Sequence, residues 1–149
     1  MTQAVRERAK LKRQKKSLVF TNGCFDILHF GHLSYLRSAK KSGDKLMVGL
    51  SSDACVRALN GKGRPINKQA HRAELLAALE VIDYVVIFSQ ETPLTLISRI
   101  KPDILVKGSD YAHGEIVGEE VVKKNGGKVK RIRLQKGLST SKTLQKLSK

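Results

Sequence analysis

Short apolar runs alternate with longer amphipathic stretches along most of the chain. The runs are rich in aliphatic and β-branched residues and are followed closely by polar residues or glycine, a pattern typical of buried strands. The predicted strands cover residues 18–21, 45–50, 84–88, 104–106 and 129–132. Between them, apolar residues at helical spacing predict helices over residues 33–41 and 69–80, and Pro93 marks the start of another.

Strands that alternate with helices predict a parallel sheet built from β-α-β units. The fold class is therefore α/β: a single domain with a Rossmann-like, doubly wound parallel sheet of about five strands. Residues 1–16 form a basic run before the first strand, and we expect an exposed helical or mobile extension there, with the domain proper over residues 17–149. Ligands of such sheets bind at the carboxyl ends of the strands, where the strand order reverses, so functional residues are expected in the loops after strands.

The loop after the first predicted strand combines residues that suit phosphate binding. It reads Asn22-Gly23-Cys24-Phe25-Asp26-Ile27-Leu28-His29-Phe30-Gly31-His32 and leads into a helix. Gly31 lets a ligand approach the backbone, and His29 and His32 lie one turn apart at the helix start. A helix N-terminus adds free N–H groups and a partial positive charge. The arrangement predicts an anion site in which histidines donate to phosphate oxygens.

The charge of the chain also favours anionic ligands. The formal net charge is +16, and the basic residues are concentrated at the two ends: residues 121–149 include ten Lys or Arg and no Asp or Glu. Such a field attracts phosphorylated small molecules or nucleic acid, although a solvated basic surface is an alternative. A basic nucleic-acid-binding module is the rival function from a different class. It leaves the histidine pair unexplained, and no aromatic residues are interleaved with the basic runs as stacking platforms.

Several other classes of protein are not supported by the sequence. No apolar run approaches the roughly 20 residues of a membrane-spanning helix, and the N-terminus lacks the apolar segment of a secretory signal, so we expect a cytoplasmic protein without membrane association. Cys24 and Cys55 lack the paired spacing of a zinc site or a disulfide framework, and reduced thiols are expected. His71 and His113 have no partner at ligand spacing and are predicted to lie at the surface.

Four motifs, in this order, resemble those of one enzyme superfamily. Residues 23–32 (GCFDILHFGH) resemble the signature of the cytidylyltransferase-like, or H-x-G-H, nucleotidyltransferases. Residues 61–66 (GKGRPI), 106–111 (VKGSDY) and 137–142 (GLSTSK) resemble later blocks of the adenylyltransferase module of ADP-heptose synthesis for lipopolysaccharide. The resemblance extends from about Leu18 to about Leu144. It implies transfer of AMP from ATP to a sugar 1-phosphate, heptose 1-phosphate by this likeness, with release of pyrophosphate.

The resemblance also implies roles for individual residues. The implied catalytic residues are His29, His32 and Lys107, with the histidines on the α-phosphate and bridging oxygens of ATP. The implied nucleotide-binding residues are Asn22, Gly23, Phe25, Gly31, Arg64, Ser139 and Thr140. Among them, Ser139 and Thr140 would hold the β- and γ-phosphates at the start of the last helix, and Arg64 would be a mobile phosphate clamp. Without the resemblance, Ser139 is predicted only to be the N-cap of the last helix.

Asp26, Arg72 and Asp110 are the candidate substrate-binding residues. The two acids could bind sugar hydroxyls, orient a histidine or help to hold a metal, and the sequence does not choose between these roles. Arg72 could equally belong to a solvated helix face. The expected cofactor is Mg²⁺, bound mainly through the nucleotide phosphates and water, with its protein ligands unknown.

The resemblance carries expectations about partners and rivals too. A homodimer is expected, as is a separate heptose kinase, because bifunctional relatives join this module to a sugar kinase. The nearest rival is a cytidylyltransferase of the glycerol-3-phosphate type, in which R-T-E-G typically precedes the final serine-threonine block. Here the corresponding residues 134–137 read LQKG, without the arginine, which favours ATP over CTP. A flavin adenylyltransferase is the other rival within the superfamily.

Overall fold

A computed structural model describes residues 1–112 and 114–149, so the prediction for His113 lies outside the described residues. Within them the chain forms one sheet of five parallel strands in the order β3-β2-β1-β4-β5. The strands are β1 Leu18–Gly23, β2 Lys45–Ser51, β3 Tyr84–Phe88, β4 Ile104–Gly108 and β5 Lys128–Ile132. The predicted α/β class, strand number and doubly wound order are confirmed.

Seven helices accompany the sheet in the described part of the chain. They are α1 Thr2–Arg13, α2 Phe30–Lys40, α3 Asp53–Asn60, α4 Gln69–Ala77, α5 Leu94–Ile100, α6 Glu119–Lys124 and α7 Thr140–Leu147. The glycines at 126 and 127 predict a helix that ends before the last strand, which α6 confirms, whereas the sequence pattern did not indicate α3, which has only 8 residues and therefore too few turns for a clear apolar period. No helix among the described residues is long and apolar enough to cross a bilayer.

The alternation of side chains along the strands builds a core on each face of the sheet. Leu18, Phe20, Met47 and Leu105 point to the face that also carries buried residues of α1, α5 and α6. The intervening strand residues point to the other face, where they pack with residues of α2 and α4; they are Val19, Leu46, Val48, Leu50 and Val106. Because both faces are covered, the central strands carry consecutive apolar residues over most of their length and turn polar at their ends.

The basic N-terminal run is a helix, one of the two expected alternatives, but it is packed on the domain, which corrects the expectation of an exposed segment. Ala4 and Leu11 of α1 belong to the core cluster, and Arg8 is buried. The Arg8 guanidinium donates to both carboxylate oxygens of Asp103, at 2.7 and 2.8 Å, and to the carbonyls of Ile100 and Lys101. One face of α1 is therefore attached to the α5–β4 connection, while its other basic residues remain in solvent.

The sheet opens at the point where its strand order reverses. β1 and β2 pair along six residues, from Leu18 opposite Lys45 to Gly23 opposite Leu50. By contrast, β1 and β4 pair only at Val19 with Ile104 and at Phe20 with Leu105. Beyond these pairs the carboxyl ends of β1 and β4 diverge and leave a crevice, which is where doubly wound sheets bind their ligands.

Candidate active site

A cleft of about 310 Å³ occupies this crevice. Its walls are the loop after β1, the start of α2, the end of β4 and the segment that leads into α7. Ten of the thirteen predicted site residues line it, and nine of these ten were assigned to catalysis or nucleotide binding and one, Asp110, to substrate binding. The ten are Asn22, Gly23, Phe25, His29, Gly31, His32, Lys107, Asp110, Ser139 and Thr140. Arg64, Asp26 and Arg72 do not line the cleft.

The two histidines form a stacked pair at the start of α2. Their ring centroids are 3.8 Å apart with an angle of 21° between the planes. The backbone N–H of His29 donates to Nδ1 of His32 at 3.3 Å, so a neutral His32 carries its proton on Nε2 as a donor. Nδ1 of His29 is buried and has no hydrogen-bond partner among the described residues. A buried ring nitrogen of this kind normally has a partner, which a ligand or water would supply.

Burial keeps both histidines neutral. It lowers the pKa of His29 below its usual value, and burial together with the neighbouring His29 ring lowers the pKa of His32 to about 4. At neutral pH the pair therefore offers N–H donors rather than fixed positive charges. Positive character at this end of the cleft comes from the free N–H groups of α2 and from Lys107.

Two positions of the signature loop, Gly23 and Gly31, leave no room for a side chain. A Cβ on Gly31 would lie 2.9 Å from the ring of His29 and 3.1 Å from Cβ of Leu138. A Cβ on Gly23 would lie 2.9 Å from the ring of Phe25, which adopts a left-handed backbone conformation with φ of 45°. The Phe25 ring in turn packs on His32 with 5.2 Å between ring centroids. The signature loop is thus closely packed around the two imidazoles.

Lys107 is the cation of the cleft floor. It is buried at the carboxyl end of β4, and its Nζ donates to Oδ1 of Asn22 on β1. Burial lowers its pKa to about 8, although the nearby Asp110 and Cys24 act in the opposite direction. Nζ also lies 5.4 Å from the centre of the Tyr111 ring. The structure therefore holds an ammonium group between two strand ends, facing the cleft.

The start of α7 forms the opposite wall. Ser139 is the N-cap of this helix, and its Oγ accepts a hydrogen bond from the N–H of Lys142 at 3.1 Å. The Thr140 hydroxyl donates to the carbonyl of Ile27, which attaches the start of α7 to the signature loop. Because a hydroxyl can accept and donate at once, the capping bond leaves the Ser139 proton available to a ligand. Two helix N-termini, of α2 and α7, consequently face one cleft.

Asp26 and Arg64 are placed differently from the expectation of separate ligand contacts. The Asp26 carboxylate is buried and accepts hydrogen bonds from Nε of Arg64 at 2.7 Å and from the backbone N–H groups of Ile66 and Asn67, both at 2.9 Å. Burial would raise the pKa of Asp26, but these donors outweigh it, and the pKa lies below its usual value. Asp26 therefore fastens the 64–67 loop to the signature loop, and Arg64 is held in that contact rather than free as a clamp.

Arg72 is buried, which corrects the alternative of a solvated helix face, while a role towards the substrate stays a prediction. Its side chain has no exposed surface. The guanidinium donates to the carbonyls of Cys24, Ser51 and Asn67 and to the carboxylate of Asp53, at distances from 2.6 to 2.9 Å. Arg72 thus holds together the ends of β1 and β2 and the loop before α4, and it acts on the cleft through the backbone of the signature loop.

Two tyrosines that line the cleft, Tyr35 and Tyr111, were not predicted as site residues. Tyr35 lies one turn beyond His32 on α2, a spacing that could have placed it on the same helix face. Its hydroxyl lies 2.8 Å from Oγ1 of Thr21 and donates to the carbonyl of Val106 at 3.2 Å. Tyr111 follows the β4 motif directly but was read there only as part of the resemblance. His71, by contrast, is exposed as predicted.

The described residues offer few groups for direct metal binding. They contain no cluster of three or more His, Cys, Asp or Glu side chains that could hold a metal ion. Asp110 is the carboxylate among the residues that line the cleft. A donor set of this kind suits Mg²⁺, which keeps several waters and is held by substrate phosphates and one or two carboxylates.

Comparison with known proteins gives a consistent picture. The family model described as cytidylyltransferase-like matches residues 20–145. A Campylobacter fetus protein named "Bifunctional protein HldE" is 55% identical over 141 residues, which are 95% of this chain and 30% of that protein. A protein of the same name from Syntrophotalea carbinolica is 49% identical over 136 residues, 91% of this chain and 28% of that protein. The chain thus spans less than a third of the length of these curated relatives.

Two solved structures have a similar fold. The crystal structure of the lipopolysaccharide core biosynthesis protein from Thermoplasma volcanium is 32% identical, with a TM-score of 0.65 over 80% of this chain and 97% of that one. Pantoate-beta-alanine ligase from Francisella tularensis is 18% identical, with a TM-score of 0.64 over 97% of this chain and 70% of that one. The second likeness concerns the fold alone.

Proposed function

Because this chain belongs to the cytidylyltransferase-like family, we propose that it is a nucleotidyltransferase that moves the adenylyl group of ATP onto a sugar 1-phosphate and releases pyrophosphate. The observation that carries the proposal is the convergence of two helix N-termini, the stacked histidines and Lys107 on one cleft at the reversal of strand order. A nucleoside triphosphate has anionic groups spaced along a chain, and this cleft offers donors at both ends.

The proposed reaction is a direct displacement at the α-phosphorus of ATP. An oxygen of the sugar 1-phosphate forms the new P–O bond, and the bond from the α-phosphorus to the bridging oxygen of pyrophosphate breaks. His29 and His32 would donate to the α-phosphate and bridging oxygens, Lys107 would offset the negative charge of the two reactants, and α7 would hold the β- and γ-phosphates. Catalysis then consists of positioning and charge stabilisation, without a covalent enzyme intermediate.

Mg²⁺ is the proposed cofactor, with Asp110 as the side chain of the cleft that would hold it. When bound, the ion would neutralise phosphate charge and stabilise the leaving pyrophosphate. Asn22, Gly23, Phe25 and Gly31 shape the loop against which the nucleotide would lie. Arg64 remains a proposed nucleotide contact only through the part of its guanidinium that Asp26 does not engage.

Heptose 1-phosphate is the proposed acceptor. Support comes from the relatives named HldE, from a related solved structure named for lipopolysaccharide core biosynthesis, and from the VKGSDY and GLSTSK motifs. ADP-heptose would then be the product. A homodimer and a kinase that supplies the heptose 1-phosphate belong to the same proposal, as does ATP rather than CTP as the nucleotide.

The proposal is tested by measuring pyrophosphate release with each of the four NTPs against a panel of phosphorylated acceptors. We expect turnover with ATP and heptose 1-phosphate, and a fall of at least about 100-fold in kcat/KM in His29→Ala and in His32→Ala. His71→Ala is the matched control, since His71 is an exposed histidine on α4, and its activity should equal that of the unaltered protein.

Two results would contradict the proposal. Turnover with CTP and glycerol 3-phosphate but not with ATP and heptose 1-phosphate would identify the rival substrate pair. Absence of pyrophosphate release with every pair, together with salt-dependent nucleic-acid binding that survives both histidine substitutions, would favour the nucleic-acid-binding alternative.

A further inference from the structure

The crevice between β1 and β4 is bridged by a side chain from α2. Beyond Phe20 and Leu105 the two strands no longer pair, so the backbone groups that follow need other partners. The Tyr35 hydroxyl donates to the carbonyl of Val106 and therefore accepts from the hydroxyl of Thr21, because a phenol has a single proton to give. Thr21 is fully buried, and Tyr35 lines the cleft.

A second bridge lies one residue further along each strand. Asn22 follows Thr21 on β1 and Lys107 follows Val106 on β4, and these two side chains bond to each other through Oδ1 and Nζ. The bridge at Thr21 and Val106 therefore fixes the separation of the strand ends that carry Asn22 and Lys107. Lys107 is itself buried, with 7% of its surface exposed, so a change in the separation of the strand ends would change its access to water.

We propose that Tyr35 is a positioning residue for Lys107: its hydroxyl joins β1 to β4 one residue before Asn22 and Lys107, and this contact holds the buried Lys107 ammonium against Asn22. The catalytic consequence rests on the function proposed above, in which Lys107 acts on the phosphates. The effect of Tyr35 on the position of Lys107 does not depend on that function, because the contacts around Lys107 are present without any ligand.

The charges around the two residues define what should change when the hydroxyl is removed. Lys107 is influenced by Asp110 and Cys24, which favour its charged form, and by burial, which opposes it. Burial raises the pKa of Tyr35 to about 12, opposed by the hydrogen bond with Thr21 and aided by Tyr111 and Asp110, so its proton stays in place. Entry of water around Lys107 weakens all three effects, but burial is the largest of them, so the pKa of Lys107 should move upward from about 8.

The experiment compares Tyr35→Phe with Tyr84→Phe. Tyr84 lies on the edge strand β3, away from the cleft, and provides the same substitution as a control. Competitive acetylation over a pH series, read by peptide mass spectrometry, gives the pKa of Lys107 in the ligand-free protein. We expect Tyr35→Phe to raise that pKa and to lower kcat by about tenfold with a smaller change in KM for ATP, whereas Tyr84→Phe changes neither. Thermal unfolding of each variant verifies that it is folded.

A double-mutant cycle separates positioning from general packing. If Tyr35 acts through Lys107, Tyr35→Phe should cause little further loss of kcat in a Lys107→Met background. An unchanged Lys107 pKa in Tyr35→Phe, or a full additional tenfold loss on top of Lys107→Met, would overturn the proposal. If the unaltered protein releases no pyrophosphate with any substrate pair, the proposed function fails, while the acetylation measurement still decides the position of Lys107.

Discussion

At the scale of single residues, burial decides the protonation state of the groups that face the cleft. The same effect acts on His32 and Lys107 with different results: the imidazole becomes a permanently neutral donor at physiological pH, whereas the ammonium titrates close to it. Neither outcome follows from residue type. A histidine and a lysine in an exposed loop would have pKa values of about 6.5 and 10.4.

The lowered pKa of Lys107 predicts an alkaline limit to activity. The ammonium is present below a pH of about 8 and is lost as the pH rises through that value. We therefore expect kcat/KM, which reports the free enzyme, to fall on the alkaline side of about 8. In Lys107→Arg the guanidinium stays charged throughout this range, so the limb should disappear even if the maximal rate is lower. An alkaline fall in kcat/KM that is the same in both proteins would assign this fall to another titrating group.

At the scale of elements, loop ends and helix starts are held by a few side-chain hydrogen bonds. α7 has no buried residue, and the capping bond of Ser139 and the contact of Thr140 with Ile27 are among the bonds that define its start. The ends of β1 and β2 are held by Arg72 from beneath. These hydrogen bonds shape the cleft, and none of them needs a residue of unusual reactivity.

Loss of the Ser139 cap should loosen α7 and weaken the nucleotide site. Ser139→Ala removes the acceptor for the Lys142 N–H, a change that costs about 1 kcal/mol of helix stability in comparable caps. We expect a KM for ATP raised several-fold, measured by pyrophosphate release, and reduced amide protection in α7 by hydrogen exchange. Ser141→Ala, in the same helix but exposed, is the control and should change neither quantity. Equal effects of the two substitutions would rule out the cap as the cause.

Arg72 should matter for stability through the shape of its guanidinium. In Arg72→Lys one ammonium cannot reach the four acceptors that the fork now serves, and buried carbonyls are left unpaired. We expect the free energy of unfolding, from urea titration, to fall by about 2–4 kcal/mol. Arg57→Lys, at an exposed position of α3, should leave it unchanged. A loss in Arg72→Lys no larger than in the control would contradict this role.

At the scale of the whole molecule, the N-terminal helix is part of the folded unit. Arg8 joins α1 to the α5–β4 connection, and Asp103 also accepts from the N–H of Leu18 at the start of β1. Burial alone would raise the pKa of Asp103, but Arg8 and the Leu18 N–H outweigh it and hold the pKa below its usual value. One ion pair therefore connects the first helix to two central strands.

Removal of the Arg8 side chain should lower stability without touching the cleft. Asp103 is partly exposed, so the expected loss in Arg8→Ala is moderate, about 1–3 kcal/mol in the free energy of unfolding. Arg6→Ala, on the exposed side of the same helix, is the control. KM for ATP should stay constant in both variants under conditions where they are folded. A stability loss that is equal in the two would show that α1 contributes through helix content alone.

The sequence by itself determined the strands, the sheet class and the loop that carries the histidines. Alternating apolar runs and glycine positions are local patterns. They predict strands, helices and turns because the side-chain repeats of strands and helices are the same in every chain. Lys107, Ser139 and Thr140 could be named because they follow a strand or begin a helix in motifs with a known order. Their convergence on one cleft follows from parallel strands, whose carboxyl ends share one edge of the sheet.

Only the tertiary structure decided which charged residues face the cleft and which are used to build it. Asp26 and Arg72 have the residue types of ligand contacts, yet their partners lie 41 and 48 positions away in the most distant cases, in loops that the sheet brings together. Arg8 likewise finds Asp103 across 95 positions. Hydrogen bonds over such separations depend on strand order and burial, which no local pattern encodes. The contacts of Tyr35 with Thr21 and Val106 depend on the strand order in the same way, so the sequence pattern alone makes Tyr35 an ordinary helix residue.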